Sequence, residues 1–203
     1  MPISVVVAAY RGELMPKVVE SIRNQDFTDF EIVIVNDAQT SVREWYKSFT
    51  NDPLASKTTF IDLERPTGRF GLYNRNIGVM ASNPEYRWVV FHDDDNLWEK
   101  DHLSSLVELY KKTGKFPYSY MHVIGKSENS PVNHIKKTGF SRQGIDLGCI
   151  LYLKEWFYKY GFFQDTRQVT FDYDCIEKIV DGVGRDKFIC TGKGTFLFYH
   201  KRY

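Results

Sequence analysis

Three consecutive carboxylates, Asp93, Asp94 and Asp95, sit inside the stretch FHDDDNLW (91–98), directly after the apolar run Trp88-Val89-Val90-Phe91. Adjacent like charges repel one another and are costly to bury without partners. In an extended chain successive side chains point to opposite faces, so Asp93 and Asp95 project together and Asp94 turns away. Two carboxylates on one side, with no fixed cation nearby in sequence, suit a hard divalent ion bound through oxygen. Mg²⁺ typically takes one or two carboxylates together with phosphate oxygens and waters. The competing reading is a solvated acidic turn capping the helix that starts near Glu99.

Such a site needs elements that bring other polar groups to the same place. ISVVVAAY (3–10), FEIVIVND (30–37) and YRWVVFHDDD (86–95) are nearly continuous apolar runs that end in polar residues. Continuous rather than alternating hydrophobicity marks strands buried on both faces, as in a parallel sheet covered by helices. Leu14, Met15, Val18, Val19 and Ile22 recur at helical spacing, as do Leu103, Leu106, Val107 and Tyr110. TTFIDL (58–63) reads as another strand and 72–81 as a short helix. This alternation implies an open α/β sheet, in which ligands bind beyond the carboxyl ends of the strands. Tyr10, Asp37 and the aspartate triplet all fall at that edge.

The second half is less regular. Residues 124–144 are polar and carry Gly, Ser and Pro, and the length predicts a mobile functional loop. An apolar stretch (147–153), the aromatic segment EWFYKYGFF (155–163), a helix over about 171–181 and short strands near 187–190 and 195–199 follow.

With 203 residues, 42% of them hydrophobic, the chain supports one sizeable core. A net charge of +1 gives no case for nucleic acid or an anionic membrane surface. Cys149, Cys175 and Cys190 are odd in number and lack C-x-x-C spacing, so neither a disulfide framework nor a zinc site is expected, and a reducing compartment fits. The opening MPISVVVAAYRGE reads as a first strand rather than a leader, and no run approaches the ~20 apolar residues of a membrane helix. The expectation is a soluble, cytoplasmic domain.

Taken together, these segments resemble the family 2 glycosyltransferases of the GT-A fold. The opening strand, helix and second strand, with S-I-x-N-Q and D-F-E-I-V-I-V-N-D, carry the likeness. So do RFGLYNRNIGVMAS for the R-N-x-G segment, FHDDDNLWEKDHL for the D-x-D strand end, GCILYLKEWFYKYGFF beside the acceptor site, FDYDCIEKI for the E-D motif and the late His200. The resemblance implies an α/β, GT-A type open and mostly parallel sheet flanked by helices. A nucleotide-sugar-binding half (1–97) and an acceptor-binding half (98–203) would form a single domain.

The activity implied is transfer of a sugar, with inversion, from a nucleotide diphosphate sugar to a hydroxyl of a glycan or lipid-linked acceptor. UDP is favoured by family frequency, and peripheral membrane contact is left open. Asp93 and Asp95 would hold Mn²⁺ or Mg²⁺ against the diphosphate, with Asp95 the first choice as ligand and Asp93 an alternative ribose contact. The metal then becomes the positive partner of the triplet. Tyr10 matches a residue that packs on the nucleobase, and Asp37 one that bonds the base or ribose; Asn36 stands where the family usually has another aspartate. Arg75 is the candidate for the base or diphosphate, with Arg69 second. His200 would complete the metal shell or touch the diphosphate.

Asp172 falls on the aspartate of the E-D motif, with Phe171 replacing the preceding acid, and would take the proton of the incoming hydroxyl. Its alternative is a helix N-cap, a role open equally to Thr170 and Asp174. Trp98 and Trp156 are either pocket borders or, by default, core aromatics.

Other readings fare worse. A dehalogenase-like phosphatase carries its D-x-D on the first strand, and a nucleotidyltransferase needs an early Gly-rich loop. TGKGT (191–195) has Lys187 where a P-loop has its first glycine. A processive synthase would show membrane spans and Q-x-x-R-W. A non-catalytic nucleotide-sugar binder of the same fold is the alternative from another class.

Overall fold

The computed structural model describes residues 1–68, 71–125, 133–137, 139–140, 144–165 and 171–199. The first half runs β1 (Ile3–Ala9), α1 (Met15–Arg23), β2 (Phe30–Asn36), α2 (Thr40–Phe49), β3 (Thr58–Asp62), α3 (Leu72–Ala81) and β4 (Trp88–Asp93). Then follow β5 (Leu97–Trp98), α4 (His102–Thr113), β6 (Phe116–Tyr118), β7 (Met121–Ile124), β8 (Asn133–Lys136), β9 (Tyr152–Leu153) and α5 (Lys154–Tyr160). The last elements are α6 (Phe171–Val183), β10 (Phe188–Cys190) and β11 (Phe196–Tyr199).

The continuous β-branched runs form the central sheet, in the order β3-β2-β1-β4-β9. The first four strands are parallel and β9 is antiparallel to β4. Every residue of β1 is buried, and Ser4 within it is satisfied by Glu31 at 2.6 Å. This is the α/β, mostly parallel, helix-flanked sheet that the sequence predicts. A second sheet, β5-β11-β7-β8, and the pair β10-β6 build the other half.

Of the 124–144 segment expected to be a mobile functional loop, residues 126–132, 138 and 141–143 lie outside the described residues, and Asn133–Lys136 pairs antiparallel with β7 as β8. With Ile135 the one strongly apolar residue of the four, that strand carries no hydrophobic pattern to read. The two halves also share a sheet: β9, from the second half, zips onto the outer edge of β4 through Trp88↔Leu153 and Val89↔Tyr152.

Helix α3 lies flush on the sheet because of Gly78, where an added Cβ would meet Val6 Cγ1 at 2.3 Å. That close seat fixes the height at which α3 presents its next polar residues.

Candidate active site

The register sets Ala8 beside Asp93 and Ala9 beside Asn36, so the ends of β1, β2 and β4 share one edge. Tyr10, Asp37 and the aspartate triplet therefore meet, as the topology requires. Strand β4 stops at Asp93, however, and Asp94 and Asp95 lie in a turn. Strict alternation ends with the strand. Asp94 and Asp95 share one partner, while Asp93 faces another.

That first partner is Arg11, one residue beyond Tyr10. Its Nη2 pairs with Asp94 and with Asp95 at 2.9 Å, and its Nε donates to Asp94 at 3.0 Å. Asp94, with its side chain 2% exposed, also accepts from the backbone amides of Tyr10 at 2.6 Å and Arg11 at 2.8 Å. Burial pushes its carboxyl up, and Arg11 pulls it back. No cation is near the triplet in sequence, but the fold brings two guanidinium groups to it, one just beyond β1 and one on α3.

The second partner is Arg75 on α3, with its side chain only 4% exposed. It donates to Asp93 at 2.5 Å and lies 3.7 Å from Asp172 Oδ1 at the start of α6. Asp172 has one face in solvent, at 42% side-chain exposure, but its Oδ1 is buried with no hydrogen-bond partner among the described residues. Burial of that oxygen pushes the carboxyl up to about 6, with Arg75 opposing and Asp93 adding to the rise.

A third carboxylate belongs to this cluster and has no sequence signal. Asp146 caps the turn 147–149 through Gly148 N–H at 3.0 Å, and that turn packs between β4 and α6. Burial first, then repulsion from Asp93 and Asp172, raises it to about 8. The turn is pinned by His102, whose Nε2 lies 3.0 Å from Gly148 O and whose Nδ1 lies 2.8 Å from Thr195 Oγ1. Burial holds His102 near 3 and His92 near 4, so both imidazoles are neutral. Only the fold, closing the chain between β8 and β9, brings Asp146 to Arg75.

On the other side, Asp37 is buried and both its oxygens are engaged. Oδ1 accepts from Thr67 N–H at 2.8 Å and Thr67 Oγ1 at 2.6 Å, and Oδ2 accepts from Gly68 N–H at 3.1 Å. The Tyr10 hydroxyl donates to Gly68 O and accepts from Gly71 N–H, both at 2.9 Å. Burial, reinforced by Asp37, raises that phenol to about 12. In this arrangement Tyr10 and Asp37 fasten the chain between β3 and α3. Trp98 and Trp156 are buried core aromatics, not pocket borders. His200, Arg69 and Thr170 lie outside the described residues.

Among the described residues, no group of three or more His, Cys, Asp and Glu side chains is placed to hold a metal ion. Asp93 and Asp95, 23% and 27% exposed, are nevertheless oxygen donors of the kind a hard cation takes in ones or twos beside phosphate oxygens. The donor chemistry fits, and an ion there would compete with Arg75 and Arg11.

An open, mostly parallel sheet with acidic and basic groups gathered beyond its carboxyl edge is an α/β architecture with its candidate site where such sheets bind ligands. The family model "Glycosyl transferase family 2" matches residues 4–177, and the chain belongs to that family. Among curated relatives, the GalNAc(5)-diNAcBac-PP-undecaprenol beta-1,3-glucosyltransferase of Campylobacter jejuni is 29% identical over 146 residues, 71% of this chain and 43% of that protein. TarS of S. aureus in complex with UDP-GlcNAc superposes with a TM-score of 0.75 at 15% identity, over 100% of this chain and 60% of that one. The Pyrobaculum calidifontis mannosyltransferase PcManGT, in complex with GDP-Man and Mn²⁺, gives a TM-score of 0.68 at 18% identity over 96% and 56%. The chain thus spans less than two thirds of each.

Proposed function

We propose that this glycosyltransferase transfers a sugar, with inversion, from a UDP-sugar to a hydroxyl of a glycan or lipid-linked acceptor. The observation that carries the reading is the charge arrangement around Arg75. Three carboxylates from β4, α6 and the turn before β9 surround one buried guanidinium, and one of them, Asp172, stands at the solvent face with its ionisation poised near neutrality. A general base works best when its pKa lies near the working pH, and an isolated surface cap has no reason to be shifted there.

Asp172 takes the proton of the attacking hydroxyl. Arg75 keeps positive charge beside both that base and the donor's diphosphate, and orients Asp93. Tyr10 and Asp37, with the 67–68 backbone they hold, form the nucleoside side of the cleft. Asp93 and Asp95, with His200, would hold Mn²⁺ or Mg²⁺; when bound, that ion supplies Lewis-acid neutralisation of the leaving diphosphate. Support for donor and metal comes from the UDP-GlcNAc and GDP-Man/Mn²⁺ complexes of the structural neighbours, and for the acceptor class from the Campylobacter relative.

No helix among the described residues is long and apolar enough to cross a membrane. Three free thiols support a reducing compartment such as the cytoplasm. We keep the division into a nucleotide-sugar half (1–97) and an acceptor half (98–203) as a functional one, since β9 joins both in one sheet.

A thermal-shift series tests the reading, because a ligand that binds the native state raises its apparent stability. UDP and UDP-sugars should stabilise the chain far more with Mn²⁺ than with EDTA, and Asp95→Ala should remove the difference. Equal stabilisation in EDTA would refute the metal assignment, and no stabilisation by any nucleotide sugar would refute the donor class.

A further inference from the structure

The residue after Arg75 does something no comparison assigns. Asn76 turns its amide to the backbone of Phe163, donating from Nδ2 to Phe163 O at 2.9 Å and accepting from Phe163 N–H at 3.0 Å through Oδ1. The side chain thereby imitates a neighbouring strand, satisfying both polar groups of one loop residue. Buried backbone groups left without partners are strongly disfavoured, and Phe163 is buried, its ring packed on Phe91 and Phe157.

The segment that Asn76 grips is in turn attached to α6. Gly161 O lies 3.9 Å from Cys175 Sγ, and Gln164 Oε1 lies 3.3 Å from Lys178 Nζ. Two consecutive residues of α3 therefore reach the same target by separate routes. Arg75 meets the first turn of α6 directly at Asp172, and Asn76 holds the segment lying along the same helix. Gly78, two residues on, seats α3 against Val6, so both contacts hang from a rigid point of the sheet.

We propose that Asn76 is a positioning residue: its two-bond grip on Phe163 clamps the acceptor-side wall, residues 161–164 and α6, to the donor half. The clamp fixes how far Asp172 stands from Arg75 and from the sheet edge. Its consequence for transfer rests on the functional reading above; the clamp itself does not.

The test uses the full chain and two intrinsic probes. Cys175, on α6 under the gripped segment, and Cys149, in the turn after Asp146, are both buried. Native-state alkylation with iodoacetamide, resolved by peptide mass spectrometry, reports opening at each. In Asn76→Ala, Cys175 should react on the order of ten-fold faster or more, the size expected for unsatisfying a buried backbone pair, with Cys149 unchanged. A parallel rise at both cysteines would mean global loosening and overturn the proposal, as would no rise at either. Should Asn76→Ala fail to fold, Asn76→Asp, which keeps the bond to Phe163 N–H, carries the same comparison.

Turnover should fall at least several-fold in the variant while UDP affinity with Mn²⁺ stays within two-fold. Faster Cys175 labelling with unaltered turnover would reduce Asn76 to a structural clamp and overturn the positioning role. A parent chain that neither binds UDP nor turns over would sink the functional reading, and the labelling result would still decide the clamp.

Discussion

Two arginines face the aspartate triplet, and they live in opposite electrostatic circumstances. Arg11 meets Asp94 and Asp95 at the end of β1, where Asp94 also takes two backbone amides and the hydrogen-bonding capacity of its carboxylate is well filled. Arg75, buried under α3, meets Asp93, Asp172 and the field of Asp146, and one oxygen of Asp172 finds no hydrogen bond among the described residues. The first cluster is satisfied and holds the turn in place. In the second, burial first and the neighbouring carboxylates after it lift Asp146 and Asp172 above the ordinary carboxylate range, which leaves the site ready to hold a proton or a cation. Satisfied networks rigidify; unsatisfied ones in a cleft mark chemistry.

The largest effect should come from the Arg75 side. Asp172→Asn keeps shape and removes basicity, so turnover should fall on the order of 10²–10⁴ with UDP affinity within a few-fold of the parent. In the parent, activity should decline as pH drops below about 6, since the base must be ionised to act. Normal turnover in the variant would make Asp172 a helix cap. A parent inert toward every donor and acceptor would favour a non-catalytic binder.

Next in size is the contrast between the arginines themselves. Arg75→Ala strands carboxylates that have little else to compensate them and should cost about 3 kcal/mol or more by urea unfolding at pH 7.5. Arg11→Ala leaves Asp94 its two backbone amides and should cost about 1–2 kcal/mol. The Arg75 penalty should shrink toward pH 4.5, where the carboxyls that repel one another become protonated. Equal penalties for the two, or a pH-independent Arg75 penalty, would erase the distinction between the two arginines.

The smallest expected effect reads the same shift through stability alone. Asp172 is raised to about 6 in the folded chain, against an ordinary carboxylate value near 4 unfolded. The folded state therefore holds the proton more tightly between those values, and stability falls as pH rises through that window. Asp172→Asn should raise Tm modestly at pH 7.5 and leave it nearly unaltered at pH 4. A lower Tm at pH 7.5 would mean that the carboxylate stabilises the fold there.

Much of this architecture is legible in the sequence where one physical rule acts locally. The runs 3–10, 30–37 and 86–95 are buried strands because continuous β-branched residues leave no polar face, and their shared polar ends place Tyr10, Asp37 and Asp93 at one edge. Helix α2 is legible by the same rule, since Val42, Trp45, Tyr46 and Phe49 follow helical spacing and pack as such. Arg11 was equally within reach, since the logic that selects Tyr10 applies to its neighbour. Asp146 was not. Its cap on Gly148 is local, but its place beside Arg75 depends on His102, Gly148 and the closing of the second half onto β4. The alternation argument for Asp93 and Asp95 presumes a strand that runs through Asp95, whereas β4 ends at Asp93.

The antiparallel strand β9 has a consequence for how this chain is made and divided. Cut after residue 97, the first half would expose the outer edge of β4 at Trp88 and Val89, an apolar strand with unpaired backbone groups of the sort that invites aggregation. During synthesis that edge waits until Tyr152–Leu153 has emerged, so the strand ending in the aspartate turn is sealed late, by a non-local pairing that is intrinsically slow to form. Completion of the edge that carries the aspartate turn is thereby tied to arrival of the second half, and a nascent first half has an unfinished edge.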